Sequence, residues 1–320
     1  MPQYKKISDH ISQIVIDNPK TKGSLRWINI TNAGKKEIDY LKKNFDFNLN
    51  HLKASISTVF SQRPMISEEK GYFFMILHFP VYDNGRIVPA EIEFFISHGY
   101  LITVHNHNIP ALNIFFEKCK TDSSSLLAHN WESSIILLYE LLEKLINDCY
   151  LLIDRNSVGI SQVEDMIFSQ KQKEAVTMIL NLRRSIINLR KILQNHQDIL
   201  GRLTLVKSSL VPQPYIKKHY DHLIEHSRKI WTMLDNQKEM VEVLNNTNES
   251  LLNDRMTSIM KTLTIFSVIV YPLTLLAGIF GMNAKYMPLI NHPYGFWGIL
   301  ALMTVCSMGM LLFFERKRWL

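Results

Sequence analysis

Hydrophobic and charged positions are mixed at short periods through roughly the first 260 residues, and then the charge stops. Between residues 262 and 314 Lys285 is the only Asp, Glu, Lys or Arg. The first part reads as soluble structure and the second as two membrane spans. Leu25–Ile30 is a short β-type run, and Ala33–Asn44 has helical spacing behind Thr31-Asn32 as a cap. Tyr72–Phe79 is aromatic and apolar between Gly71 and Pro80. Glu91–Ile96 and Tyr100–His105 flank Ser97-His98-Gly99 as a hairpin. These segments predict a mixed sheet with helices packed on it.

From Leu126 to Leu205 the pattern turns helical. Ile135, Leu138, Leu142, Leu145, Ile146 and Cys149 recur at three- and four-residue steps, and a second helix is expected from about Ser161 to Leu203. Pro212 and Pro214 break the run. No proline then follows until Pro272 and no glycine until Gly278, so one helix is expected from about Tyr215 to Gly281. A periodic stretch this long suggests a stalk that continues into a bilayer.

Leu263–Phe280 and Tyr294–Phe314 are uncharged, and as helices they span ~27 Å and ~31 Å against ~30 Å of hydrocarbon. The short connection makes them an antiparallel hairpin. Lys261 precedes the first span and Arg316-Lys317-Arg318 follows the second, whereas the loop holds only Lys285. The positive-inside rule then puts both termini in the cytoplasm, with Tyr286, Tyr294, Phe296, Trp297 and Trp319 at the interfaces. The expected class is an α+β/α membrane protein with an α/β layer (1–125), a helical layer (126–211), a stalk (212–261), a first span (262–283), an outer loop (284–293), a second span (294–314) and a basic tail (315–320).

The first span carries a polar stripe. Ser267, Tyr271, Thr274 and Gly278 fall at steps of four, three and four, and Thr264 and Met260 extend it. Polar groups inside a membrane face other helices or water. One stripe per chain cannot enclose a pore, whereas several copies around an axis can. Hydroxyls that only glue helices together are the plain alternative.

Net charge is +7, with no aromatic-basic interleaving or nucleic-acid motif, so no nucleic acid partner is expected. Cys119, Cys149 and Cys306 lack metal or redox spacing and read as reduced thiols. The polar start Met1-Pro2-Gln3-Tyr4-Lys5-Lys6 is not a signal core. His78, His98, His105 and His107 are close in sequence, but with twelve histidines the grouping is ordinary. No nucleophile motif, phosphate-cradling glycine loop or metal-binding helix spacing is expected, hence no enzyme and no cofactor.

Met260-Lys261-Thr262-Leu263-Thr264, Tyr271-Pro272-Leu273-Thr274 and Ala277-Gly278-Ile279-Phe280-Gly281-Met282-Asn283 resemble the CorA family of magnesium transporters, with Tyr286-Met287-Pro288 and a final Lys317-Arg318-Trp319-Leu320 at the family's spacing. The close likeness covers about the last 65 residues. It implies a homopentameric funnel in the cytoplasmic membrane that carries hydrated Mg2+, with Co2+ or Ni2+ as further ions. It also implies a pore lined by Met260, Leu263, Ser267, Tyr271, Thr274 and Gly278, and a mouth at Gly281-Met282-Asn283 where the asparagine amide holds the ion through its water. Regulatory Mg2+ in the family binds acidic side chains, for which Asp221, Glu225, Asp235 and Glu239 are the candidates. Tyr271 stands where well-known members have methionine, and Pro288 is followed by Leu289-Ile290-Asn291-His292 without the family's acids. The zinc-transporting branch of the superfamily shares Gly-Met-Asn, which keeps Zn2+ open. A membrane-tethered sensor without transport is the alternative of another class.

Overall fold

The computed structural model describes residues 3–17, 24–56, 63–106, 109–121, 133–205, 214–282 and 294–317. The chain divides into two compact units, Met1–Leu244 and Asn245–Leu320.

The first unit is built on a seven-stranded sheet. Its strands are β1 (Gln3–Lys6), β2 (Ile11–Asp17), β3 (Ser24–Thr31), β4 (Met65–Glu69), β5 (Tyr72–Asp83), β6 (Arg86–Ser97) and β7 (Tyr100–His105), in the order β1-β2-β3-β7-β6-β5-β4. Only β3 and β7 pair in parallel. Alternation along the strands gives the sheet two faces. Trp27, Phe73, Met75, Leu77, Ile92, Phe94 and Leu101 bury one way. Ile28, Ile30, Phe74, Ile76, Phe95, Ile102 and Val104 bury the other way, under Ile38, Leu41, Phe47 and Leu52. Those covering residues come from and around α1 (Lys35–Asn44) and α2 (Leu49–Ala54).

The first face is covered by α3 (Pro110–Thr121), α4 (Ser134–Phe168), α5 (Gln172–Leu193) and α6 (His196–Leu205), whose Phe115, Leu138, Leu142, Leu189 and Leu200 join its core. The start of α7 (Pro214–Phe280) adds Tyr220, Leu223, Ile230 and Leu234.

Several boundaries differ from the sequence expectation. β5 does not stop at Pro80 but runs on to Asp83, with Pro80 opposite Pro89. By then the β5–β6 ribbon has outrun its neighbours, since β4 pairs only as far as Ile76 and β7 only as far as Ile92. No third strand needs the missing N–H groups. The ribbon closes at Asn84-Gly85, both with positive φ, as a two-residue hairpin turn requires. α1 starts after Gly34, whose N–H donates to Glu37 Oε2 at 3.0 Å, and the expected cap residue Thr31 is still in β3. The first long helix does not break near Ser161. It continues to Phe168 and stops where Gln170 takes φ 65°. Gly159 lies inside it, and a Cβ there would meet Leu182 Cδ2 at 2.8 Å, so glycine lets α4 and α5 approach.

The second unit contains the remainder of α7 and a final helix, α8 (Gly295–Arg316). Both are long and apolar enough to cross a membrane, and almost nothing in them is buried.

Candidate functional site

Two faces of α7 can be told apart in the second unit. Ile265, Ile269, Leu273, Leu276 and Phe280 recur at steps of four and three and are less exposed than most of the segment, though Ser267 and Val270 are half-buried too. A matching stripe of reduced exposure on α8 is Gly295, Ile299, Met303, Cys306, Met310 and Phe314. At ~100° per residue, Met260, Leu263, Ser267, Tyr271, Thr274 and Gly278 are centred about 160° around the helix from the covered set. Met260, Leu263 and Tyr271 are 59%, 60% and 73% exposed. Gly278 faces open space, since a Cβ there would touch nothing within 4 Å.

The hydroxyls on this side are satisfied locally. Thr264 donates to the Met260 carbonyl at 2.8 Å, Ser267 to Leu263 at 2.8 Å and Thr274 to Val270 at 2.9 Å. Such back-bonding removes the hydroxyl proton from the outward surface. Pro272 is tolerated inside the helix, as proline in a span often is. At the end of α7 Gly281 donates its N–H to Ala277 at 2.9 Å, and a Cβ at 281 would come within 2.9 Å of that same carbonyl oxygen. Met282 is 63% exposed. Asn283, Lys285 and His292 lie outside the described residues. Tyr294, Phe296 and Trp297 project outward at the start of α8, and Arg316 ends it.

The four stalk acids are on α7 in the first unit. Asp235 is held by Arg190, which also lies 4.6 Å over the Trp231 ring, and Glu225 pairs with Lys229 at 3.3 Å. The Arg190 guanidinium holds the Asp235 carboxyl below its usual range. Asp221 and Glu239 are exposed and form no ion pair among the described residues. No group of three or more His, Cys, Asp or Glu is placed to hold a metal among the described residues.

One spacing runs against the sequence expectation. His222-Leu223-Ile224-Glu225-His226 is a His-x-x-Glu-His pentad on a helix, the kind of spacing that puts two imidazoles on one face. The two rings are 4.2 Å apart, and His226 Nδ1 is buried without a hydrogen-bond partner. Burial, then His222 and Lys229, hold His226 below the usual histidine range. The signal was the histidine spacing itself.

The histidines near the sheet have structural roles. His78 Nε2 lies 3.0 Å from Glu91 Oε2, and His196 Nε2 donates to the His78 carbonyl at 2.8 Å. Complete burial drives His196 down to about 4. Burial, then neighbouring Glu91, push the Glu93 carboxyl well above its usual range. His105 is buried at the end of β7, His98 lies in the β6–β7 turn, and His107 is outside the described residues. Cys119 and Cys149 are buried thiols pushed up by desolvation, to about 12 for Cys119, and are unreactive at neutral pH.

An α/β domain with a helical layer, followed by two apolar helices joined end to end, defines a membrane protein with a large soluble domain and a two-span hairpin. The profile of the CorA-like Mg2+ transporter protein family matches residues 22–317, and the chain belongs to that family. The cobalt/magnesium transport protein CorA of Thermotoga maritima is 25% identical over 299 residues, 92% of this chain and 83% of that one. The complete CorA magnesium transporter structure from Methanocaldococcus jannaschii superposes with TM-score 0.82 at 21% identity, covering 100% of this chain and 98% of that one. The ZntB cytoplasmic domain from Vibrio parahaemolyticus shares the fold with TM-score 0.55 at 13% identity, covering 79% and 98%. The chain is therefore a divalent-cation transporter of the inner membrane, with a cytoplasmic N-terminal domain and two spans. Its curated CorA relatives are transport proteins and not enzymes.

Proposed function

We propose that the transported ion is Mg2+, carried with its water shell through a pore that copies of this chain form around an axis, five by likeness to the family. Met260, Leu263, Ser267, Tyr271, Thr274 and Gly278 line that pore, and Gly281, Met282 and Asn283 form its outer mouth. The observation that carries this reading is the hydroxyl-bearing stripe on the side of α7 away from its covered face, in a segment with no charge.

The chemistry suits a strongly hydrated ion. Mg2+ dehydrates reluctantly and keeps several waters. Neither span contains a carboxylate that would strip them. Oxygen acceptors along the wall and a ring of Asn283 amides accept hydrogen bonds from that shell. Met260 and Leu263 form an apolar constriction that gates by dewetting. The regulatory role of Mg2+ extends the proposal to the stalk. Asp221 and Glu239 are open to a cation, whereas Glu225 and Asp235 must first leave Lys229 and Arg190.

Purified protein in liposomes is expected to admit Mg2+ down a gradient, and Asn283→Ala to abolish or sharply reduce that flux. Unchanged uptake in the variant removes Asn283 from the pore. No flux of any divalent cation leaves a tethered binding module. Competition among Mg2+, Co2+, Ni2+ and Zn2+ in the same assay ranks the ions.

A further inference from the structure

A second feature of the first unit has no part in conduction. Between the tip of the β5–β6 hairpin and the outer sides of α4 and α5 lies a cleft of about 570 Å3, within the size range of small-molecule sites. Arg86 reaches it from the hairpin, Arg155 from α4 and Arg184 from α5. No Asp or Glu lines it. None of the three guanidinium groups forms an ion pair among the described residues; the acid that feels Arg155 is Asp148, two helical turns back.

The remaining lining is polar and in part already arranged. Asn156 is 5% exposed, and its Oδ1 accepts from Ser185 at 2.8 Å. Asn188 Nδ2 donates to the Ile87 carbonyl at 3.1 Å and so fixes the hairpin against α5. Tyr82 stands 60% exposed at the rim, with the Arg155 guanidinium 5.8 Å over its ring. α5 as a whole is cationic, with Lys173, Arg183, Arg184, Arg190 and Lys191 against Glu174, and of these Arg184 lines the cleft.

Three uncompensated guanidinium groups from three elements, converging on a cleft without carboxylates, are a recognition site for an anion with several oxygens. Guanidinium forks match phosphate bidentately, and that geometry distinguishes them from lysines scattered on a surface. We propose that this cleft binds a small polyphosphate anion, with Arg86, Arg155 and Arg184 on the phosphates and the Tyr82 ring available to a flat group attached to them. The bound anion would cross-link the hairpin to α4 and α5. The inference does not rest on the pore reading, because it concerns binding by the cytoplasmic unit alone.

The test is calorimetric titration of the full-length protein in detergent, free of Mg2+, with tripolyphosphate and with ATP as separate probes. Saturable binding, one per chain, is expected for at least one of them. Arg86→Gln, Arg155→Gln and Arg184→Gln are each expected to weaken it roughly tenfold or more, as loss of a charge-assisted contact does. Arg183→Gln, one position away on the same helix but outside the cleft, should leave it within about twofold. Arg155→Lys keeps the charge and loses the fork, so it should also weaken binding. Tighter ATP binding that Tyr82→Ala removes assigns the site to nucleotides, and equal binding of the two probes assigns it to the polyphosphate group. Absence of saturable binding by either probe at millimolar concentration overturns the proposal. So does an Arg183→Gln loss as large as the cleft variants show, which would mean general attraction to a basic helix. Thermal melting of every variant, compared with wild type, separates lost binding from lost fold.

Discussion

The two units of this chain treat the same residue types in opposite ways. In the first, Trp27, Phe73, Phe94 and Leu101 are sealed between a sheet and its helices. In the second, Phe266, Leu275, Val305 and Phe313 are each more than half exposed. The difference lies in the solvent. Water drives apolar area inward in the first unit. Hydrocarbon rewards no such burial, so in the second the apolar surface faces out and the polar groups are confined to the local backbone. Exposure of a large apolar residue therefore means different things on the two sides of residue 245.

The contrast can be broken by substitution. Phe94, fully buried, should cost about 3–5 kcal/mol when replaced by Ala, and thermal unfolding of the first unit would register it. Phe266→Ala, at 64% exposure, should leave that transition in place. A charge sharpens the point further. Ile114 in α3 and Val305 in α8 are both 69% exposed. Val305→Lys should cost roughly 2.5–3.5 kcal/mol of insertion and deplete the membrane fraction. Ile114→Lys should stay within about 0.5 kcal/mol. Equal losses at the two sites would put both residues in one environment.

The first unit also carries a pH signature. Burial brings the His196 pKa down to about 4, whereas an unfolded histidine titrates near ~6.5. The unfolded chain binds the extra proton first, so stability is complete above about 6.5 and falls as pH drops toward 4. The loss from this group is on the order of 3 kcal/mol. His196→Gln keeps a donor for the His78 carbonyl, and its melting temperature should fall less over that interval. The smallest effect is expected at Ser267. Ser267→Ala should alter stability by less than about 0.5 kcal/mol while changing Mg2+ flux in liposomes.

Sequence periodicity was sufficient wherever one repeat dominated. The two spans, the unbroken helix from Pro214 and the β6–β7 hairpin follow directly from charge absence, proline spacing and alternation. The polar stripe was legible too, because helical geometry alone puts Ser267, Tyr271 and Thr274 on one side. Other features depended on partners far away in sequence. β1 is short and polar, and it becomes a strand by pairing with β2, which in turn adds to β3. The break after Phe168 has neither proline nor glycine and rests on Gln170 adopting a left-handed backbone. Asn84-Gly85 was a readable turn signal, and only the prolines on either side obscured it. The arginine cleft had no local signature at all, since Arg86, Arg155 and Arg184 meet only through tertiary packing.

The back-bonded hydroxyls of α7 carry a consequence for charge sign. Thr264, Ser267 and Thr274 have each committed their single proton to a carbonyl one turn earlier. What they show to their surroundings is oxygen lone pairs only. Water around a cation points its hydrogens outward and finds takers at these three oxygens, whereas chloride or phosphate meets no donor in them, although the Tyr271 phenol on the same side can still donate. A membrane segment with no ionised group between Thr262 and Met282 can in this way disfavour one polarity and favour the other.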